Sequence, residues 1–340
     1  MRRFIILFLI SNLILGFRVC GGYNIIKVVC TLEAYAGIVK LIGGDFVEVD
    51  YILPEGASPH EYSLTPEDRE KVSNADIIVL VNSEFLELER RLRELFPSKT
   101  FVDFDDYNRY NLTILPAPGI EKNYHGYWLY PDNAVAIAHA IHDYLANMAP
   151  EYKDFFKRNL EKFIDDIEAL KERMRNVAVE KDILNKGVLL AVPAVAYIAY
   201  SFGMVPKASI LKAPGSLVSG SEIDYIERQI KNGDISIGLC PESFRDLKPG
   251  QVMDEIRRDT GLPIVYVRVF SLGGLKDYRS LLVYNIAVIN SISFEDSDEN
   301  SWSRLAIYLL IGFIFLAVVA VVESIIIFNF RKRAEEILYE

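Results

Sequence analysis

From Ile25 onward the chain alternates short apolar runs with stretches of helical period. Ile25–Thr31 and Val47–Leu53 read as strands, and Glu33–Ile42 between them as a helix ended by Gly43-Gly44, which is a β-α-β rhythm. It continues through a helix opened by Thr65-Pro66-Glu67-Asp68, where threonine can cap and proline fits the first turn. Ala75–Val81 is a nearly continuous apolar strand, as a parallel sheet covered on both faces requires. A helix around Phe85–Leu95 and a strand at Thr100–Phe104 complete a first lobe. A second lobe repeats the scheme, with strands at Gly187–Val192, Ile235–Cys240 and Ile264–Phe270. Its helices are Ala194–Phe202, Gln251–Thr260 before Gly261, and Leu275–Ile292. Between the lobes Tyr152, Phe156, Leu160, Phe163, Ile167, Leu170, Met174 and Val177 recur at spacings of three and four, so one long amphipathic helix joins them. A stiff connector and a coiled-coil dimerisation stripe both fit that pattern.

The two ends follow neither period. Met1-Arg2-Arg3 and the apolar stretch Phe4–Gly16 read as a secretory signal with no defined cleavage point, and retention as a signal anchor stays open. Leu305–Phe330 is apolar except for Ser324, Asn329 and Glu323, long enough to cross a hydrocarbon core of about 30 Å. Arg331-Lys332-Arg333 follows and would lie in the cytoplasm, leaving the body outside the cell. The expected organisation is a signal segment 1–22, an amino-terminal α/β lobe 23–148, a linking helix 149–183 and a carboxy-terminal α/β lobe 184–293. An acidic spacer 294–304, a transmembrane anchor 305–330 and a cytoplasmic tail 331–340 follow. The fold class is α/β, two lobes with mainly parallel sheets joined by one long helix, plus a C-terminal transmembrane helix.

The length of 340 residues suits about two domains of ordinary size. A formal charge of −10 argues against a grip on nucleic-acid phosphates. The mean hydropathy of +0.17 is high for a chain with 25% charged residues, and the apolar ends account for the excess. Cys30 and Cys240 could pair outside the cell, although their place in strand-like runs favours two buried thiols. No nucleophile-elbow, phosphate-loop or zinc-protease pattern is present, so no catalysis is expected.

Candidate chemistry rests on the four histidines. His139 and His142 are three apart on a helix-like stretch, compatible with a metal pair or with a partly exposed helix face. His60, in Gly56-Ala57-Ser58-Pro59-His60-Glu61-Tyr62, and His125, in Asn123-Tyr124-His125-Gly126-Tyr127-Trp128, sit on loops. Ligands of open α/β sheets gather on loops at the carboxyl ends of strands, and neutral imidazole is a good zinc or manganese ligand. Glu242, in Cys240-Pro241-Glu242-Ser243, stands at the end of an expected strand and could add one negative charge, and a Cys240 thiolate would favour a softer metal.

The blocks Gly43-Gly44-Asp45-Phe46-Val47-Glu48-Val49, Ser58-Pro59-His60-Glu61-Tyr62, Thr65-Pro66-Glu67-Asp68 and Asn74-Ala75-Asp76 carry a resemblance. So do Trp128 with Pro131-Asp132-Asn133-Ala134, and Leu272-Gly273-Gly274 with Tyr278 and Asn285. Over about Ile25 to Ile292 the chain resembles the zinc/manganese solute-binding proteins of ABC importers, the periplasmic-binding-protein group with a single linking helix. The resemblance implies a monomeric two-lobed receptor that takes a divalent transition metal, zinc or manganese, as its transported ligand, and no organic cofactor. Its partners would be an importer permease and that permease's ATPase. It also implies metal ligands at His60 and His125, with Gly126 and Tyr127 adding one residue to the usual spacing before Trp128, which a bulge at Gly126 would absorb. The two ligand positions expected in the second lobe hold Val192 and, nearby, Phe270. A receptor-like ectodomain whose metal site has decayed, binding another small ligand or a partner protein, is the alternative.

Overall fold

The apolar runs of the amino-terminal half form four parallel strands, β1 (Ile26–Cys30), β2 (Val47–Tyr51), β3 (Ile77–Val79) and β4 (Thr100–Val102), in the order β2-β1-β3-β4. The computed structural model describes residues 25–54, 57, 59–213, 215–270, 277–292 and 309–310. In the second half β5 (Gly187–Leu190) pairs in parallel with β6 (Val205–Ser209), and a short hairpin follows, β7 (Leu211–Ala213) and β8 (Ser216–Leu217). With β9 (Ile237–Pro241) and β10 (Ile264–Val267) the second parallel sheet runs β10-β9-β5-β6. The two sheets take the same course: a central first strand, the second on one side, the third and fourth on the other. Each therefore reverses direction once, between β1 and β3 and between β5 and β9, and loops at the carboxyl ends there form the crevice in which such sheets bind ligands.

Ten helices follow in the described residues: α1 (Glu33–Gly43), α2 (Pro66–Asn74), α3 (Glu87–Leu95), α4 (Phe104–Asn108), α5 (Pro131–Met148), α6 (Lys153–Glu180), α7 (Ala196–Ser201), α8 (Gly220–Lys231), α9 (Lys248–Thr260) and α10 (Tyr278–Asn290). The expected cap of α2 forms: Thr65 Oγ1 accepts from the Asp68 N–H at 3.2 Å while Asp68 Oδ2 accepts from the Thr65 N–H at 2.9 Å. The linking helix α6 has 28 residues and, at about 1.5 Å per residue, runs roughly 40 Å. Its stripe of Phe156, Leu160, Phe163, Ile167, Met174 and Val177 is buried against α1, α5 and α10. The stripe is satisfied within the chain, so a coiled-coil partner is not needed to cover it. One apolar core joins both sheets to α6.

The structure departs from the sequence reading where a polar residue takes over. Asp103 caps α4 with Asp106 as its reciprocal partner, so Phe104 enters a helix instead of extending β4. The strand β6, the hairpin and α8 were not expected; β6 alternates exposed and half-buried residues, which leaves it no apolar run to be read. Helix α8 carries a capping box of Ser219 and Glu222, a sequence signature that would have marked its start. Cys30 and Cys240 are free and buried.

The expected signal segment, acidic spacer and tail lie outside the described residues, as does the expected span 305–330 apart from residues 309–310. Among the described residues no helix is long and apolar enough to cross a membrane, so the C-terminal transmembrane helix is not part of the fold class that the structure supports. That class is two parallel-sheet lobes with a long linking helix.

Candidate metal centre

The loop after β2 and the turn before α5 bring His60 and His125 together, with ring centroids 5.5 Å apart and planes inclined at 52°. Phe85, on the loop after β3, meets both rings in edge contacts, at 5.6 Å from His60 and 5.0 Å from His125. Tyr124 stacks obliquely on Phe85 at 5.4 Å. Burial, and secondarily the neighbouring His60, pushes the His125 imidazole down to about 4. Partial desolvation also lowers His60, although this residue is exposed, against the opposing field of Glu61. Nδ1 of His125 is buried and has no hydrogen-bond partner. A neutral imidazole with an unused buried nitrogen can coordinate a cation without first losing a proton.

His125 is aimed by its neighbours. Asn123, fully buried, accepts from the His125 N–H at 3.1 Å through Oδ1 and donates from Nδ2 to the Pro193 carbonyl at 2.9 Å. The Asn123 carbonyl in turn accepts from the Tyr197 hydroxyl at 2.5 Å. Pro193 and Tyr197 belong to the second lobe, so one asparagine ties the histidine turn to the segment that follows β5. Gly126 then turns the chain with φ of 77°, supplying the expected local adjustment before Trp128. A Cβ at Gly126 would lie 2.8 Å from the Ala194 carbonyl oxygen and 2.9 Å from the Ala194 Cβ. Gly126→Ala is therefore expected to lower stability by about 2 kcal/mol, combining left-handed strain with a backbone clash; a urea unfolding midpoint equal to that of the wild type would contradict this.

The loop bearing Phe85 is also anchored from within. Glu89 of α3 is fully buried, and its two oxygens accept from the N–H groups of Val81 at 2.7 Å and Asn82 at 2.6 Å. Asn82 Oδ1 then accepts from the N–H groups of Glu84 and Phe85, both at 3.1 Å. Buried hydroxyls tie the first-lobe core beneath: Tyr127 Oη accepts from Tyr35 at 2.7 Å and donates to the Val81 carbonyl at 2.6 Å.

The second lobe offers less to a cation. Val192 is buried at the end of β5 and Phe270 is half-buried after β10. Glu242 accepts from Arg268 Nε at 2.8 Å and from the Tyr284 hydroxyl. Partial burial raises this carboxyl, but Arg268 and Tyr284 outweigh it and hold it below the ordinary value. Burial, with Asp254 adding to it, pushes the Cys240 thiol up to about 12, so it does not become a thiolate. His139 stacks on Tyr110 at 5.1 Å, and His142 Nδ1 lies 2.9 Å from Asp143 Oδ1. Among the described residues no group of three or more His, Cys, Asp or Glu could hold a metal ion. Sequence reasoning singled out both histidines of the pair but missed Asn123, Phe85 and Glu89; an asparagine two residues before a loop histidine was the available signal.

Comparison with known proteins follows this geometry. A family model described as zinc-uptake complex component A, periplasmic (ZnuA), matches residues 28–292. The chain is 28% identical over 280 residues to the manganese ABC transporter substrate-binding lipoprotein PsaA of Streptococcus pneumoniae, covering 77% of this chain and 87% of that relative. It is 27% identical over 260 residues to the iron ABC transporter substrate-binding lipoprotein MtsA of Streptococcus pyogenes, covering 72% and 80%. In fold it is similar to a crystal structure of ZnuA, with a TM-score of 0.66, 19% identity, and coverage of 78% of this chain and 99% of that one. The manganese complex of FpvC from Pseudomonas aeruginosa gives 0.65, 20%, 78% and 97%. These relatives are transporter substrate-binding proteins and not enzymes. PsaA and MtsA are named lipoproteins, and no helix among the described residues could span a bilayer. The expected single-pass topology at the cell membrane, with an outside body and a cytoplasmic carboxyl terminus, is withdrawn on these two findings. With the match running almost from the first strand to the last helix of the body, the chain belongs to the ZnuA family of substrate-binding proteins.

Proposed function

We propose that this chain captures a transition-metal cation at the crevice between its sheets and delivers it to the permease and ATPase of an ABC importer. His60 and His125 are its first-lobe ligands. The observation that carries the reading is the buried, unpartnered Nδ1 of His125 beside a second imidazole, because a buried polar atom without a partner is costly unless something fills its place. The names of the relatives support zinc or manganese as cargo, with iron as a further member. Glu242 joins this site only by exchanging Arg268 for the cation. A linking helix packed along its length favours a small closure over a wide hinge motion.

Titration of the purified full chain with zinc and manganese tests the proposal. One ion per chain is expected, with affinity reduced at least about tenfold by His60→Ala and by His125→Ala. Val192, Phe270 and the Phe85 wall favour the second reading, a decayed site that takes a less polar ligand or a partner protein. Absence of any metal binding tighter than about millimolar would leave that reading standing.

A further inference from the structure

One motif of the chain takes no part in the metal centre. Asn111-Leu112-Thr113 is the single Asn-x-Ser/Thr triplet in the 340 residues. It stands shortly after α4, at the head of the long connection 109–126 that leads to the turn before α5. Leu112 is half-buried and packs against the core, while Asn111 and Thr113 on either side of it are exposed. Asn111 has a φ of 61°, a left-handed conformation that asparagine takes more readily than most residues. That turn accounts for the asparagine but not for the threonine. The Thr113 main chain is held at both ends by Asn133, whose Oδ1 accepts from its N–H at 2.7 Å and whose Nδ2 donates to its carbonyl at 2.8 Å. Among the described residues the Thr113 hydroxyl has no partner.

We propose that Asn111 is a glycosylation site, the acceptor of a sugar carried on a lipid diphosphate. Such transfer needs an exposed asparagine, a hydroxyl residue two positions on, and an exported chain. Asn111 and Thr113 meet the first two conditions, and the family whose model matches this chain is described as periplasmic. In the transfer the amide nitrogen of Asn111 forms a bond to the anomeric carbon of the sugar. The bond from that carbon to the diphosphate oxygen breaks, and the lipid diphosphate leaves with its electron pair. One amide proton passes to a base of the transferring enzyme, and nothing is oxidised or reduced. The glycan adds a bulky, solubilising cover to a connection that is also exposed at Arg109, Pro116, Gly119, Glu121 and Lys122.

The test is tandem mass spectrometry of the full chain expressed in its source organism. Trypsin cuts after Arg109 and Lys122 and releases residues 110–122, which contain the whole triplet. The expected result is that this peptide carries a sugar mass on Asn111 and yields sugar oxonium fragments. Thr113→Ala should lose the sugar completely, and Thr113→Ser should keep it. Thr113→Ala leaves both main-chain bonds to Asn133 and the left-handed asparagine in place, so its loss of sugar does not reflect a loss of fold; a circular dichroism spectrum equal to that of the wild type checks this. Recovery of residues 110–122 from the wild type only in unmodified form would overturn the assignment, as would a sugar that persists in Thr113→Ala. Neither result bears on His60 and His125, because no step of the transfer depends on a bound metal.

Discussion

Asn123→Ala is expected to weaken metal binding by at least about tenfold and to lower stability by about 2 kcal/mol. The substitution removes the acceptor of the His125 N–H and the donor to Pro193. Pro193 keeps the Ala196 N–H as a partner, so the larger loss falls on the histidine turn. The turn would remain tethered through the Tyr197 hydroxyl, which bonds the Asn123 backbone, and this is why a misaimed site in a folded protein is the expected outcome. Asn123→Asp keeps the acceptor for His125 but sets a carboxylate against the Pro193 carbonyl, so it should retain more affinity than alanine only if the aim of His125 is the dominant effect. Metal titration and urea unfolding on the same preparations separate the two effects. Unchanged affinity in Asn123→Ala, with stability reduced, would mean that the residue only fastens the lobes.

The second large effect is a pH dependence of stability that arises at Glu89. Burial pushes this carboxyl up to about 7 from the usual 4.5, although its hydrogen bonds to Thr31 and to the Val81 and Asn82 N–H groups oppose the shift. Below 4.5 the group is protonated whether the chain is folded or not, and it contributes nothing to the pH dependence. Between 4.5 and about 7 the folded chain binds more protons than the unfolded one, so stability falls as pH rises, and the loss is complete above about 7. The full span amounts to about 3 kcal/mol. Glu89→Gln abolishes this slope. Its amide sets an N–H₂ against one of the two backbone donors, an offset that is the same at every pH. The stability difference between the variant and the wild type should therefore move by about 3 kcal/mol in favour of glutamine between pH 4.5 and 8. Parallel unfolding curves across that range would show that Glu89 titrates normally. Because Glu89 holds the loop that carries Phe85, the same substitution reports whether the hydrocarbon wall of the crevice moves.

How much of this was legible beforehand differs from residue to residue. The strands β1, β3, β5 and β9 could be read from their apolar runs, because a strand covered on both faces has little room for polar side chains. Thr65, Pro66 and Asp68 announced α2, since a helix start is satisfied by its own neighbours. Strand β6 could not be read in this way: it alternates between exposed and half-buried positions at the edge of its sheet.

The sequence by itself determined the two repeated α/β lobes, the amphipathic helix between them and the presence of histidines on loops, because period, capping and loop chemistry are local properties of the chain. Only the tertiary structure decided that His60 and His125, 65 positions apart in the numbering, face each other across 5.5 Å, and that Asn123 joins one of them to Pro193. It alone showed that Arg268 already neutralises Glu242. These are partnerships between segments distant in the chain, and burial and charge at such a meeting depend on how the sheets and α6 pack, which no local pattern encodes.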